Sequence, residues 1–199
     1  MAKKETLIIV AHPDDETIWM GGTLLKSKEK SKENKTIISL CRKNDSDRAP
    51  KFEKVCEKLG SKGYIFDLDD GEEGYYKEVS AQEIMNKILE ITKDKKYDSL
   101  YTHGENGEYG HIRHLDVHKA VCEMLEKGSL VAEKVFFFSY FLEKEGGPAN
   151  INPNADKLIK LEKPYFKMKK QLIQEVYGFQ EGGFEVESSR EMEAFDIKK

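Results

Sequence analysis

Residues 6–16, Thr-Leu-Ile-Ile-Val-Ala-His-Pro-Asp-Asp-Glu, constrain this chain more than any other stretch. The apolar run from Leu7 to Ala11 has the length and β-branched content of a strand buried on both faces, as in a parallel sheet. Pro13 fixes its own φ and pushes His12 into an extended conformation, so the strand ends there. Asp14, Asp15 and Glu16 then fall in the first turn of the helix that follows, where the dipole favours anions. An imidazole and two carboxylates are thereby crowded at the carboxyl end of a strand, where open α/β sheets bind ligands. Helix capping alone would also account for the acids. What weighs against it is the distribution of the histidines, all five of which lie either at 12 or between 103 and 118.

Strand and helix patterns alternate after this point. A helix is expected from Thr17 to about Lys32 with Ile18, Leu24 and Leu25 inward, and Gly21-Gly22 would let another backbone approach closely. A second strand covers 36–41, a polar segment follows, and a helix over 51–59 ends at Gly60, a standard residue just past a helix end. Residues 63–67 read as a third strand and 68–78 as an acidic, glycine-rich loop. Ser80 caps a helix reaching about Thr92, with Ile84, Ile88, Leu89 and Ile91 inside. A fourth strand covers 99–102, a glycine-punctuated loop 103–110, a helix 111–127 and a fifth, central strand 135–140. The βαβαβαβαβ pattern predicts an α/β fold, a Rossmann-like three-layer domain with a mostly parallel sheet covered on both faces. From 143 the alternation stops: 163–177 reads as helix, and the remainder is either a lid over the site or a packing arm.

The second histidine cluster, His103 to His118, also follows a strand, so both clusters can open on one sheet edge. On a helix, His111, His114 and His118 stand at i, i+3 and i+7 and share a face. Spacings of three and four let two imidazoles share a metal, and two histidines with a carboxylate leave room for water, as in catalytic zinc sites. Glycines at 104, 107 and 110 let the loop bend close to a bound ligand.

The charge balance bears on partners. With 35% charged residues and a net charge of −4, the chain lacks the basic surplus of a nucleic-acid binder. No stretch approaches the ~20 apolar residues of a membrane span, and the short N-terminal apolar run is too brief for a signal peptide. Cys41, Cys56 and Cys122 form no CxxC pair and read as reduced packing thiols in a cytoplasmic protein. A length of 199 residues suits one domain over 1–199; a homo-oligomer is left open.

The two motifs together, Ala-His-Pro-Asp-Asp-Glu after the first strand and Gly-Glu-Tyr-Gly-His-x-x-His after a later one, resemble the PIG-L/LmbE-like family of zinc-dependent N-deacetylases. Arg48 after strand two, Leu59-Gly60, Leu68-Asp-Asp-Gly71, and Lys169 with Tyr177-Gly-Phe-Gln180 extend the likeness over most of the chain. The chain departs from the family pattern at Ile112-Arg113, where many members have Pro-Asp, and at Phe179, where Ser is frequent. The resemblance implies zinc, with Fe2+ as the alternative, held by His12, Asp15 and His114. It implies Asp14 as general base, and His111 (protonated) and Tyr109 as stabilisers of the tetrahedral intermediate; Arg48 reads either as a binder of a sugar hydroxyl or phosphate or as a surface arginine. The implied reaction removes an acyl group, acetyl foremost, from a small-molecule substrate, an N-acetylglucosamine-type amino sugar or conjugate.

Glu16 and Asp116 read as supporting or capping residues, His118 as a packing or surface histidine, and His103 is left undecided. A nicotinamide dehydrogenase is excluded by the lack of G-x-G-x-x-G after strand one. A non-haem iron oxygenase, which shares the two-His-one-carboxylate set, would call for an all-β barrel. The rival from another class is a metal-containing carbohydrate-binding protein that no longer hydrolyses; the presence of Asp14 speaks against it.

Overall fold

The computed structural model describes residues 3–29, 33–70 and 79–198. Five parallel strands form in chain order: β1 (Lys4–Val10), β2 (Glu33–Cys41), β3 (Lys62–Leu68), β4 (Lys96–Thr102) and β5 (Val131–Phe138). Near the chain's end come β8 (Lys157–Lys160) and β9 (Met192–Ile197), after a separate hairpin of β6 (Tyr140–Leu142) and β7 (Ala149–Ile151). The seven-stranded sheet runs β3-β2-β1-β4-β5-β9-β8, with β9 antiparallel to both its neighbours. This is the mostly parallel sheet expected.

Helices cover both faces. One side holds α1 (Asp15–Glu29), α2 (Arg48–Leu59) and α6 (Lys163–Gln171), the other α3 (Ala81–Thr92) and α5 (Ile112–Glu126). A four-residue α4 (Gly107–Gly110) and a short α7 (Phe184–Ser188) complete the set among the described residues. Alternate residues of β1 serve the two cores, Ile8 and Val10 one way, Leu7 and Ile9 the other, and Ala11 just past the strand joins the second. A strand buried on both faces reads as an unbroken apolar run for this reason.

The expected boundaries shift by a few residues. Helix α1 starts at Asp15 rather than Thr17; residues 30–32 at its expected end, and 71–78 of the acidic loop, lie outside the described residues. The expected helix over 163–177 splits, since α6 passes into a π-helical turn over Leu172–Tyr177. Strand β4 begins at Lys96, three residues before the expected start, because Lys96-Tyr-Asp has no apolar pattern to read.

The segment after 143 is a packing arm for most of its length. It adds β8 and β9 to the sheet and lays α6 along α1. Helix α1 is kinked at Met20 (φ −146°), which frees amides of the next turn. Glu193 of β9 takes them up, accepting from Gly22 N at 2.8 Å and Thr23 N at 2.9 Å, and it pairs with the fully buried Lys169 at 2.9 Å. A Cβ on Gly22 would stand 2.3 Å from Leu161 Cδ1, so that side chain packs straight onto the helix backbone where the residue is glycine. Removing one partner of a buried pair strands the other charge, at a cost of about 3–5 kcal/mol. Glu193→Ala is therefore expected to lower unfolding free energy by that amount in urea denaturation, whereas a surface pair such as Lys26–Glu162 should register within about 1 kcal/mol.

Candidate functional site

Sheet order places the site. Strand β1 continues outward to β2 while its neighbour β4 continues the other way to β5, so the connections diverge between β1 and β4. Such a switch point opens a crevice at the carboxyl ends of the strands. His12 leaves β1 there and His103 leaves β4. A cleft of roughly 150 Å3 lies at this edge, walled by His12, Asp14, Asp15, Trp19, Arg42, Arg48, Asp70, Tyr109, His111 and Phe184, among others.

Three donor atoms form a nearly equilateral triangle. His12 Nδ1 and His114 Nε2 are 3.2 Å apart, and each lies 3.3 Å from Asp15 Oδ2. Nitrogen and oxygen donors bound tetrahedrally at about 2.0–2.1 Å stand about 3.3 Å apart, so the triangle fits a zinc-sized ion. Electrostatics agree. Burial alone would lower His114, yet Asp15 and Glu108 hold it up at about 10, so the cluster traps a cation even when that cation is only a proton. Burial alone would raise Asp15, but the charged His114 beside it brings it well below the usual carboxylate range. A divalent ion among these donors would take the place of that proton.

Each donor is oriented from behind. His12 N donates to Asp15 Oδ2 and Trp19 Nε1 to Oδ1, at 2.9 and 3.0 Å. His12 Nε2 lies 2.5 Å from Asp70 Oδ1, and Asp70 is in turn paired with Arg42. His114 Nδ1 donates to Glu108 Oε2 at 2.6 Å. Glu108 was not singled out in the sequence, although it sits inside the second motif; being fully buried with φ 58°, it is the residue that the loop's bend exists to deliver. A Cβ at Gly104 would meet the Phe138 carbonyl at 2.4 Å, which is why the loop can turn there. Partners of this kind are worth about 10–100-fold in metal affinity. Glu108→Gln, whose amide cannot accept from both rings and from Gly104 N together, is expected to lose that much in a competitive chelator titration.

His103 is resolved by its hydrogen bonds. Its Nε2 accepts from Ala11 N at 2.9 Å, so Nδ1 carries the proton and donates to Glu108 Oε2 at 2.7 Å. It is within ligand distance of Asp15 and His114, but its lone pair is already used. Burial and the His114 charge keep it neutral, and its ring stacks on His114 at 3.8 Å. His118 lies apart, donating from Nδ1 to the His103 carbonyl at 2.9 Å. Cys41 approaches His12 and Asp70, yet burial pushes its thiol up and keeps it protonated. His12, His111 and His114 form another group within ligand reach of one another.

The remaining expected residues face the same cleft. Asp14 has φ 125°, a strained conformation for a non-glycine residue and one common at active sites. Burial and the Asp15 charge raise it well above the carboxylate range, opposed by Arg48, whose Nη1 donates to Oδ2 at 2.7 Å. The Arg48 guanidinium also lies 4.4 Å over the Phe179 ring. Glu16 is buried, accepting from Tyr177 Oη at 2.8 Å and Thr17 Oγ1 at 2.6 Å, and Asp116 pairs with Arg113 at 2.8 Å; both support rather than line the site. Tyr109 packs between His114 and Phe184, ring centroids 5.1 and 4.7 Å away.

One expectation needs correction. His111 is not poised as a protonated donor: burial and the neighbouring His12 and His114 push it down to about 3. Its Nδ1 accepts from Arg113 N at 3.2 Å and caps α5, so the neutral ring carries its proton on Nε2. It can still donate, but without a charge.

Comparison with known proteins follows this geometry. The chain is 24% identical over 138 residues to an uncharacterised protein of Acanthamoeba polyphaga mimivirus, covering 61% of this chain and 58% of that one. It thus spans little more than half the length of this curated relative. Among solved structures it resembles the N,N'-diacetylchitobiose deacetylase of Pyrococcus horikoshii, with 17% identity, a TM-score of 0.71 and coverage of 98% and 84% of the two chains. It also resembles a 4-carboxy-2-hydroxymuconate hydratase of Pseudomonas putida, with 14% identity, a TM-score of 0.65 and coverage of 94% and 83%. At such identities the likeness shows a shared fold, and that fold carries more than one chemistry. The GlcNAc-PI de-N-acetylase family, PIG-L, matches residues 7–125, more than half of the chain and the stretch holding both histidine clusters. The chain belongs to the PIG-L family.

Proposed function

We propose that this protein is a zinc-dependent N-deacetylase of a small N-acetylglucosamine-type amino sugar. The observation that carries the reading is the donor triangle of His12, Asp15 and His114 beside the Asp14–Arg48 pair in one cleft. In this reading residues 1–199 act as one domain, and the three free cysteines suit a cytoplasmic enzyme. Among the described residues no helix is long and apolar enough to cross a membrane.

Each residue has a task. His12, Asp15 and His114 hold the metal. When bound, zinc supplies Lewis-acid polarisation of the amide carbonyl and acidifies water. Asp14 takes the proton of the attacking water. Arg48 occupies its Oδ2, and Oδ1 has no partner among the described residues, so Oδ1 is the oxygen left to take the proton once a cation held by Asp15 offsets the charge that raises Asp14. Tyr109 Oη and the Nε2–H of neutral His111 donate to the oxygen that gains negative charge, contacts of a kind worth roughly 3–4 kcal/mol each. Asp14 then returns its proton to the amine as the carbon–nitrogen bond breaks, leaving a free amine and the acid.

The walls suit such a substrate. At roughly 150 Å3 the cleft is smaller than the ~300–1,000 Å3 of sites that enclose drug-sized ligands, so it takes the acylated end of one sugar ring. Carboxylates and arginines of the wall suit hydroxyls, and the part-exposed Phe184 ring offers flat apolar surface to a pyranose.

The test is acetate release from a panel of N-acetylglucosamine conjugates by the zinc-loaded protein. Release that depends on both zinc and Asp14 supports the reading. Binding of the same sugars with metal present and no release from any would make it a carbohydrate-binding protein instead.

A further inference from the structure

His118 and Cys122 stand one turn apart on α5 and face a second cavity of roughly 650 Å3, which shares no lining residue with the catalytic cleft. The geometry points to a second, open metal site there, made by His118 Nε2 and Cys122 Sγ, for a thiophilic divalent cation such as zinc or cadmium. Neither residue has a part in the proposed catalysis, so the inference stands whether or not the protein is a deacetylase.

The imidazole is set up as a ligand. A backbone carbonyl only accepts, so the 2.9 Å contact with the His103 carbonyl requires His118 Nδ1 to carry the proton. Nε2 then carries the lone pair, and Cys122 Sγ lies 3.6 Å from it. Metal-binding histidines are held in this way, the second nitrogen donating to a carbonyl or carboxylate. The spacing also fits, because a tetrahedral zinc with bonds of about 2.05 Å to nitrogen and about 2.3 Å to sulfur holds the two about 3.6 Å apart.

The rest of the cavity favours a cation. Glu105, Glu126 and Asp196 line it against the single lysine Lys198. Burial raises the Cys122 thiol too, but Cys122 is part-exposed, whereas Cys41 and Cys56 are 0% and 3% exposed, so of the three thiols it is the one a dissolved ion can reach. Binding breaks the S–H bond, releases that proton to solvent, and forms one bond to sulfur and one to nitrogen, with water in the remaining positions. Two protein donors make this a weak, open site rather than a structural one.

The test titrates Co2+ into the full-length, zinc-loaded, reduced protein and follows the near-ultraviolet thiolate-to-cobalt charge-transfer band. The catalytic triangle has no sulfur, so Co2+ exchanging into it gives no such band. Wild type is expected to saturate with one thiolate bound, and Cys122→Ser to show no band. His118→Gln, which keeps a donor for the His103 carbonyl, should bind at least about tenfold more weakly, the low end of what losing even an outer partner costs. In a separate assay, Zn2+ should protect Cys122 from alkylation. Absence of the band in wild type, its survival in Cys122→Ser, unchanged affinity in a folded His118→Gln, or alkylation indifferent to Zn2+ would each overturn the site.

Discussion

Asp14→Asn is expected to keep its metal and its affinity for substrate while kcat falls by about 10²–10⁴-fold, the usual contribution of a general base. Asn preserves the shape and still offers an oxygen to Arg48 Nη1, so the 2.7 Å contact can survive the loss of charge. Stability should not fall with activity. Asp14 is held in a buried position beside the Asp15 charge, which raises it well above the carboxylate range, and a neutral amide relieves that repulsion. The metal-free variant is thus expected to unfold at a denaturant concentration equal to or above that of metal-free wild type. Such an exchange of stability for function is common at active sites. Steady-state kinetics and urea melts on the same preparations check both halves. Full turnover in the variant would place the base elsewhere.

Asp15→Asn, one residue along and of the same chemistry, should behave quite differently. Its Oδ2 accepts from His12 N at 2.9 Å and stands 3.3 Å from both imidazole donors, so it is an anionic corner of the triangle. The amide carries no charge, and whichever atom it turns inward, the two imidazoles lose the carboxylate that draws a cation between them. Metal and activity should vanish together. Elemental analysis after gel filtration reads the first and acetate release the second. His12→Ala and His114→Ala should give the same paired loss, while His118→Ala should keep the tightly held ion through gel filtration. A variant of Asp15 that retains a full equivalent of metal would break the ligand assignment.

Much of this site was legible along the chain because its first halves are local. The strand Leu7–Ala11, the break at Pro13 and the adjacent acids declare a strand end loaded with ligands, for each signal lies within a few residues of the next. Alternation of strands and helices likewise gave the parallel sheet, since burial on both faces leaves an unbroken apolar run. What the sequence does not carry is the order of strands in space. Setting β1 beside β4 is what brings His12 to His114, 102 positions away, and Ala11 to His103, 92 positions away. That pairing alone decides that His103 spends its lone pair on a backbone amide, while His114, eleven residues on, turns its Nε2 to Asp15, where a cation can take the place of the proton. Glu108 and Asp70 escaped the same way: an acid in a polar loop looks solvated until folding buries it against an imidazole. His111 reversed its expected charge for a kindred reason, because protonation depends on neighbours brought by tertiary contact, here His12 and His114, rather than on residue type. Residue types and local spacing thus determined which groups are available for the chemistry. Only the tertiary structure decided which of them hold a metal-sized gap open and which merely steady the others, because that depends on distances between parts of the chain far apart in sequence.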